Sequence, residues 1–186
     1  MKKSLFLVLA LMLTFSVPAQ TKAGGATIPD MVNFDGETLV LNGVGVRVKY
    51  FMDMYAGGLY LKTKSSSANN IIAANEPMAM KLHMVSKMIT SDRMIEAINE
   101  GFDNSTGGNP GNFKADIEKF KGFFKEEINK DDVFDIVYLP SKGTVVYKNG
   151  KELGTIKGLP FKKALFGIWL SNKPADKKLK SGMLNN

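Results

Sequence analysis

Hydrophobic and polar residues alternate with a period of two along residues 39–61, a long and regular stretch of the chain. From residue 44 to residue 50 the apolar side chains fall on one face of a strand and the small or basic ones on the other: Val44, Val46, Val48 and Tyr50 against Gly45, Arg47 and Lys49. The same period returns from Asp53 to Leu61, which predicts a second strand and a reversal centred near Phe51. That reversal places Arg47 opposite Tyr55, with Cβ atoms about 4.5–5.5 Å apart.

Two hydrophobic periods divide the remaining chain into strands and helices. The period of two and the helical period predict strands near 39–62, 78–87 and 133–156, and helices near 92–103, 113–128 and 160–170. Each helix carries one apolar stripe that needs a partner surface. Residues 104–112, rich in glycine and asparagine, are expected to form a loop. The pattern predicts an α+β fold, an antiparallel β-sheet with helices packed on one face.

The first residues have the features of a secretory signal peptide. Two lysines precede the apolar run from Leu5 to Val17, and Ala19 and Ala23 are both small-residue cleavage sites. Residues 1–23 are therefore expected to be removed on export to the periplasm or the exterior, which leaves residues 24–186 as one domain. Glycines 24 and 25 are expected to form a flexible lead-in. We expect no integral membrane span in the mature chain.

Composition argues against several classes of partner. The formal net charge of +7 is spread over the chain mainly as lysine, without the arginine and aromatic interleaving of a nucleic-acid interface. The chain has one histidine, His83, and no cysteine, so we expect no metal site. No motif predicts a cofactor. Protein partners are left open.

Arg47 and Tyr55 form a candidate anion-binding pair. The chain has two arginines, Arg47 and Arg93, among 25 basic residues, and arginine is the side chain suited to bidentate recognition of a carboxylate. Gly57 and Gly58 leave a bare patch beside Tyr55, where a ligand or a helix can approach the backbone. The alternative is that Arg47 is an ordinary solvated surface charge.

Three segments carry a resemblance to a known family. They are Gly43-x-Gly45-x-Arg47, then Tyr55-Ala-x-Gly-x-Tyr60, and the run Ala164–Pro174. Taken together, they resemble the chalcone isomerase-like family over about residues 26–184. The resemblance implies its open-faced sandwich fold and one of two behaviours. Plant chalcone isomerases close a flavanone ring, whereas other members bind fatty acids through an Arg and a Tyr that correspond to Arg47 and Tyr55.

The resemblance favours the fatty-acid-binding members over the isomerases. Where the isomerases have a threonine, this chain has Tyr55. The tyrosine and asparagine of the isomerases fall near Met94 and Gly101, and a late threonine or serine falls near Gly167. None of these three residues can replace a hydroxyl or an amide. Arg47 alone can still stabilise an oxyanion, which keeps an isomerase acting on an unknown substrate as an alternative.

We therefore interpret the protein as a non-catalytic binder of a fatty acid or related anionic amphiphile, in a cleft between sheet and helices. Arg47 and Tyr55 hold the head group, and the expected cleft lining is Gly57, Leu59, Met94, Phe120 and Phe124. A small phenolic ligand belongs to the isomerase alternative. The phenylalanine stripe is also consistent with a filled core, in which case the protein is a structural or partner-binding envelope protein without a small ligand.

Overall fold

Nine strands and five α-helices make up residues 20–185, the part of the chain that the computed structural model describes. The strands are β1 Gln20–Ala23, β2 Ala26–Pro29, β3 Met31–Phe34, β4 Glu37–Lys49, β5 Met52–Leu61, β6 Met78–Met84, β7 Val133–Leu139, β8 Gly143–Lys148 and β9 Lys151–Ile156. The helices are α1 Ala68–Ala73, α2 Ser91–Thr106, α3 Lys114–Gly122, α4 Leu159–Leu170 and α5 Lys177–Leu184. No helix within these residues is long and apolar enough to cross a membrane.

Strands β3 to β9 form one antiparallel sheet in which chain order equals spatial order. Helices α2, α3, α4 and α5 contribute side chains to one large core with the inward residues of β5 to β9. The predicted α+β architecture is confirmed. The three segments predicted as strands cover β5 to β9 and all but the first two residues of β4, and the three predicted helices overlap α2, α3 and α4.

The opposite face of the sheet has a smaller core of its own. The hairpin of β1 and β2 packs there, and Ala26 and Ile28 are buried against Leu41 and Tyr60. Glycines 24 and 25, expected as a flexible lead-in, form the turn of this hairpin with φ of 54° and 81°. Glycine adopts such positive φ values without steric cost, which explains the difference.

Two helix boundaries differ from those predicted. Helix α2 continues to Thr106, inside the segment expected to be a loop, and Gly107 ends it in the left-handed conformation. The helix expected over 113–128 ends at Gly122, and the next two amides bond three residues back. Phe124 and Ile128 nevertheless remain buried, so the apolar spacing continues where the helix does not.

Four hairpins in residues 20–185 close with two-residue loops in which both residues have positive φ, the geometry of a type I′ turn. Three of the loops contain glycine: Gly24–Gly25, Asp35–Gly36 and Asn149–Gly150. The loop between β4 and β5 is Tyr50–Phe51, with φ of 53° and 61°. Bulky residues in this conformation cost of order 1–3 kcal/mol each.

Lys162, in the first turn of α4, is fully buried. Its Nζ donates hydrogen bonds to the carbonyl oxygens of Ile71, Ile72 and Ala74 at 2.9, 3.0 and 2.7 Å. These carbonyls end α1 and would otherwise lack donors. Burial lowers the pKa of Lys162 from its ordinary 10.5 to about 8.

The pKa of Lys162 predicts a distinctive pH dependence of stability. Between about pH 8 and 10.5 the unfolded chain binds more protons at this site than the folded chain, so stability rises with pH. One titrating group contributes at most about 1.4 kcal/mol per pH unit. We expect urea unfolding of the natural chain to show a gain of about 1–2 kcal/mol from pH 7.5 to 9.5. Lys162→Met is expected to be less stable throughout and to lack this gain. Equal gains in both proteins would contradict the assignment.

The predicted signal peptide lies mostly outside the described residues, which begin at Gln20. Strand β1, however, pairs in full with β2, and Thr21 Oγ1 donates to Asp30 Oδ1 at 3.2 Å. Cleavage after Ala23 would delete this strand, whereas cleavage after Ala19 would keep it. We therefore predict an exported protein that begins at Gln20, and intact-mass measurement checks it. A product that begins at Gly24, or one that retains Met1, would contradict the prediction.

Candidate ligand-binding site

The register of β4 and β5 pairs Arg47 with Tyr55, as the alternation of the sequence predicts. Beyond this pair the register shifts, because Val48 pairs with Asp53 and Met54 is left as an extra residue. Such a bulge re-aims side chains. Met54 and Tyr55, although adjacent in sequence, both point into the inner core. The bulge therefore places a thioether and a phenol together at one end of the cleft.

The Tyr55 hydroxyl is hydrogen-bonded to Trp169, the only tryptophan of the chain. The indole Nε1–H of Trp169 donates to the Tyr55 hydroxyl at 2.9 Å, and both side chains are buried. The guanidinium carbon of Arg47 lies 5.8 Å from the centre of the Tyr55 ring. Burial raises the pKa of Tyr55, and Arg47 and Trp169 oppose the shift. The hydroxyl is therefore neutral at physiological pH and can donate its own proton to a ligand.

Arg47 is half-buried and forms no ion pair with any carboxylate among residues 20–185. Asp176 acts electrostatically on Tyr55, but its oxygens are occupied. Its Oδ1 accepts from the amides of Lys178 and Leu179 at 2.7 and 2.9 Å, and its Oδ2 accepts from the Val48 amide at 3.2 Å. Within residues 20–185 the Arg47 guanidinium therefore has no carboxylate as an ion-pair partner.

Arg47 and Tyr55 lie where two spaces meet. An outer groove of about 120 Å³ separates the β4–β5 hairpin from the start of α2. An inner seam of about 20 Å³ continues between the sheet and the helices. Four residues line both spaces: Arg47, Tyr55, Met94 and Ala97. Arg93 and Glu96 are on the rim of the outer groove.

The structure brings together three of the five residues predicted from sequence to line the cleft. Met94 lines both spaces, and Phe120 and Phe124 line the inner seam. Leu59 is buried in the core and lines neither space.

Gly57 also lies away from both spaces, because α5 covers it. A Cβ on Gly57 would lie 2.5 Å from Met183 Cε and 3.0 Å from Leu179 Cδ1. Gly45 is equally close to α5, since a Cβ there would lie 2.7 Å from the Leu179 carbonyl oxygen. Gly57 therefore lies in the contact surface of a helix, whereas Gly58 faces β2 on the other side of the sheet, where a Cβ would lie 3.0 Å from Ile28 Cγ2.

Sequence reasoning did not assign a site role to Trp169. The available signal was chemical, since a buried indole N–H almost always has an acceptor. Met54, Met88 and Ile89 of the outer groove were also missed. Within the described residues there is no group of three or more His, Cys, Asp or Glu side chains that could hold a metal ion.

A comparison with protein families identifies the family to which this chain belongs. The model of the family described as chalcone isomerase-like matches residues 20–185. The chain belongs to the chalcone isomerase-like family. Among solved structures, this chalcone isomerase-like protein is similar to a fatty-acid binding protein from Arabidopsis thaliana, with a TM-score of 0.69 and 18% identity over 88% of this chain and 93% of that one. That likeness shows a shared fold. No protein with a curated description matches the sequence.

Two positions expected to correspond to isomerase hydroxyl or amide groups are closed by packing in this chalcone isomerase-like protein. A Cβ on Gly101 would lie 2.7 Å from Ile168 Cγ2, and one on Gly167 would lie 3.0 Å from Ser105 Cβ. Both glycines thus serve the contact between α2 and α4. No His, Cys, Ser or Thr lines the groove or the seam, so the chemistry available there is charge, the phenols of Tyr50 and Tyr55, one indole N–H and apolar surface.

The bond between Trp169 and Tyr55 is testable by a double-mutant cycle. Tyr55→Phe leaves the buried indole N–H unpaired, which costs about 1–3 kcal/mol. Trp169→Phe removes the donor and leaves a cavity. We expect the double variant to lose less free energy of unfolding than the two single variants lose in sum, with a difference of about 0.5–1.5 kcal/mol. Chemical unfolding followed by circular dichroism measures this, because Trp169→Phe has no tryptophan fluorescence. Additive effects would show that the bond contributes nothing to stability.

Proposed function

We propose that the protein binds a fatty acid or a similar anionic amphiphile without transforming it. The carboxylate accepts hydrogen bonds from the Arg47 guanidinium and the Tyr55 hydroxyl, and the apolar chain lies against Met94 and the inner seam. One observation carries the proposal. A half-buried guanidinium without an acidic partner borders an apolar space, beside a neutral phenol fixed by Trp169.

Electrostatics supports an anionic head group. A charge removed from water without a partner is costly, and a carboxylate entering the site would neutralise Arg47. A charge-assisted hydrogen bond contributes about 1.5–3 kcal/mol, more than a neutral one. The Arabidopsis fatty-acid binding protein adds support, since its fold is similar to that of this chain.

The size of the site constrains how the chain of the ligand enters. The groove and seam together enclose less space than the roughly 300–1,000 Å³ of sites for drug-sized ligands. Their volume is comparable to the 150 Å³ or so that accommodates benzene. The head group and the first few carbons therefore fit as the site stands. A longer chain requires the seam to widen, and the flexible thioether of Met94 is suited to move aside.

Binding is favoured over isomerisation by the lining of the site. Arg47 can stabilise an oxyanion, but ring closure also needs groups that orient the substrate and transfer a proton. The positions expected to supply them carry Met94, Gly101 and Gly167. A purely structural role would not account for the unpaired charge of Arg47. Native mass spectrometry of protein from its own host tests that role, which predicts that no lipid is bound.

The decisive test removes the charge of Arg47. Arg47→Ala is expected to weaken binding of decanoate about ten- to a hundredfold, because one charged hydrogen bond is lost and about 1.4 kcal/mol is a factor of ten. Arg47→Lys is expected to recover part of this, since an ammonium lacks the planar fork. Titration calorimetry measures both, with decanol as the neutral ligand of matched length.

Two further variants serve as controls. Arg93 is the other arginine of the chain and lies at the rim of the groove, where it donates to the Met88 carbonyl. Arg93→Ala should leave decanoate affinity within about twofold, because a rim charge contributes little. Ala97→Leu fills space shared by groove and seam and should weaken decanoate and decanol alike. Unchanged decanoate affinity in Arg47→Ala, or a large loss in Arg93→Ala, would place the head group elsewhere.

A further inference from the structure

The loop at the end of the β4–β5 hairpin exposes apolar side chains to an unusual degree. Four of the five large hydrophobic residues that are exposed in residues 20–185 lie in this loop: Val48, Tyr50, Phe51 and Met52. Tyr50 is 70% exposed and Phe51 is 103% exposed. We call residues 48–52 the aromatic tip.

Neither local geometry nor packing favours these residues. The other three two-residue hairpin loops of the described chain contain glycine, the residue suited to positive φ, and the aromatic tip has Tyr50 and Phe51 in the same conformation. Phe51 is fully solvated, and Tyr50 has the Lys49 ammonium 5.6 Å from its ring centre. A tyrosine and a phenylalanine in these positions therefore strain the turn, and neither ring is buried in the fold.

Basic residues surround the aromatic tip. Lys49 lies within it, and Arg47 and Arg93 lie in the groove beside it. Lys177 and Lys178 are exposed at the start of α5, which is tied to the tip through the bond from the Val48 amide to Asp176.

The acids of the same region do not cancel this charge. Asp176 is occupied as the N-cap of α5, and Asp53 and Glu96 are the other acids on the hairpin end and the groove rim. The region therefore has five cationic and three acidic side chains. Exposed aromatic rings flanked by lysine and arginine have the chemistry that binds the interface of an anionic lipid bilayer.

We propose that the aromatic tip inserts into the headgroup region of an anionic phospholipid bilayer and holds the outer groove against it. Tyr50 and Lys49 belong both to the tip and to the lining of the groove, so the groove opens at the docked surface. Docking stands independently of what the groove contains. That an amphiphile enters from the bilayer rests on the proposed function.

Vesicle flotation tests the docking. The probe is phosphatidylcholine vesicles with and without phosphatidylglycerol, and the variant replaces Tyr50 and Phe51 by Asn and Gly, the pair that closes the β8–β9 hairpin. We expect binding to vesicles containing phosphatidylglycerol, weakened by salt, and an affinity at least about tenfold lower for the variant. We also expect the Tm of the variant to rise by roughly 2–8 °C, because the strained turn is relieved.

A matched control separates the tip from general hydrophobicity. Met31 is the fifth exposed apolar residue and lies in β3, outside the tip, so Met31→Ser should leave vesicle binding unchanged. Arg47→Ala should weaken vesicle binding by no more than about fivefold even if it abolishes decanoate binding, since one cation near the bilayer contributes about 1 kcal/mol. This pair of results separates failure of docking from failure of the proposed function.

Three outcomes would overturn the proposal. One is equal binding by the natural chain and the Asn–Gly variant, and another is equal binding to vesicles with and without phosphatidylglycerol. The third is a concentration-dependent dimer, seen by sedimentation equilibrium and lost in the variant, without vesicle binding. That result would make a second copy of this chain the occupant of the tip.

Discussion

The pairing of β4 with β5 determines what each face of the sheet carries, because successive side chains of a strand point to opposite faces. In the observed register Arg47 faces Tyr55 and Gly45 faces Gly57. A shift by one residue would turn valine side chains toward α5 and Arg47 toward the outer face. The backbone of α5 lies so close to Gly43 and Gly45 that no side chain fits there. The juxtaposition of Arg47 with Tyr55 and the packing of the last helix therefore depend on one register.

The bulge at Met54 adds a second consequence to that register. Bulges bend the strand that contains them and increase its local twist. Here the bulge lies next to the aromatic tip, and the end of the hairpin lines the groove opposite the start of α2. One hairpin thus supplies Arg47 and Tyr55 at the inner end of the groove and the aromatic tip at its outer end.

Alternation and helical periodicity predicted strands β4 to β9 of the sheet and the helices over one face because those features repeat along the chain. The pairing of Arg47 with Tyr55 followed from the same alternation. The bulge did not, since one extra residue leaves no trace in the pattern. The bond between Trp169 and Tyr55 joins positions 114 residues apart, and the contact of α5 with Gly57 is equally distant in sequence. Local sequence patterns carry no information on such long-range contacts, which is why Gly57 was expected in the cleft and Trp169 was not.

The hydrogen bonds of Lys162 also bear on the order in which the chain can fold. Helix α1 has six residues, too few for an isolated helix to persist in water. Its last carbonyls are bonded by a side chain about 90 residues further along the chain. During synthesis, the segment from residue 68 to residue 74 therefore has no stable conformation until α4 has been made. The strands can pair locally as they emerge, but α4 and α5, which complete the cover of the inner face, are present only when nearly the whole chain has been made.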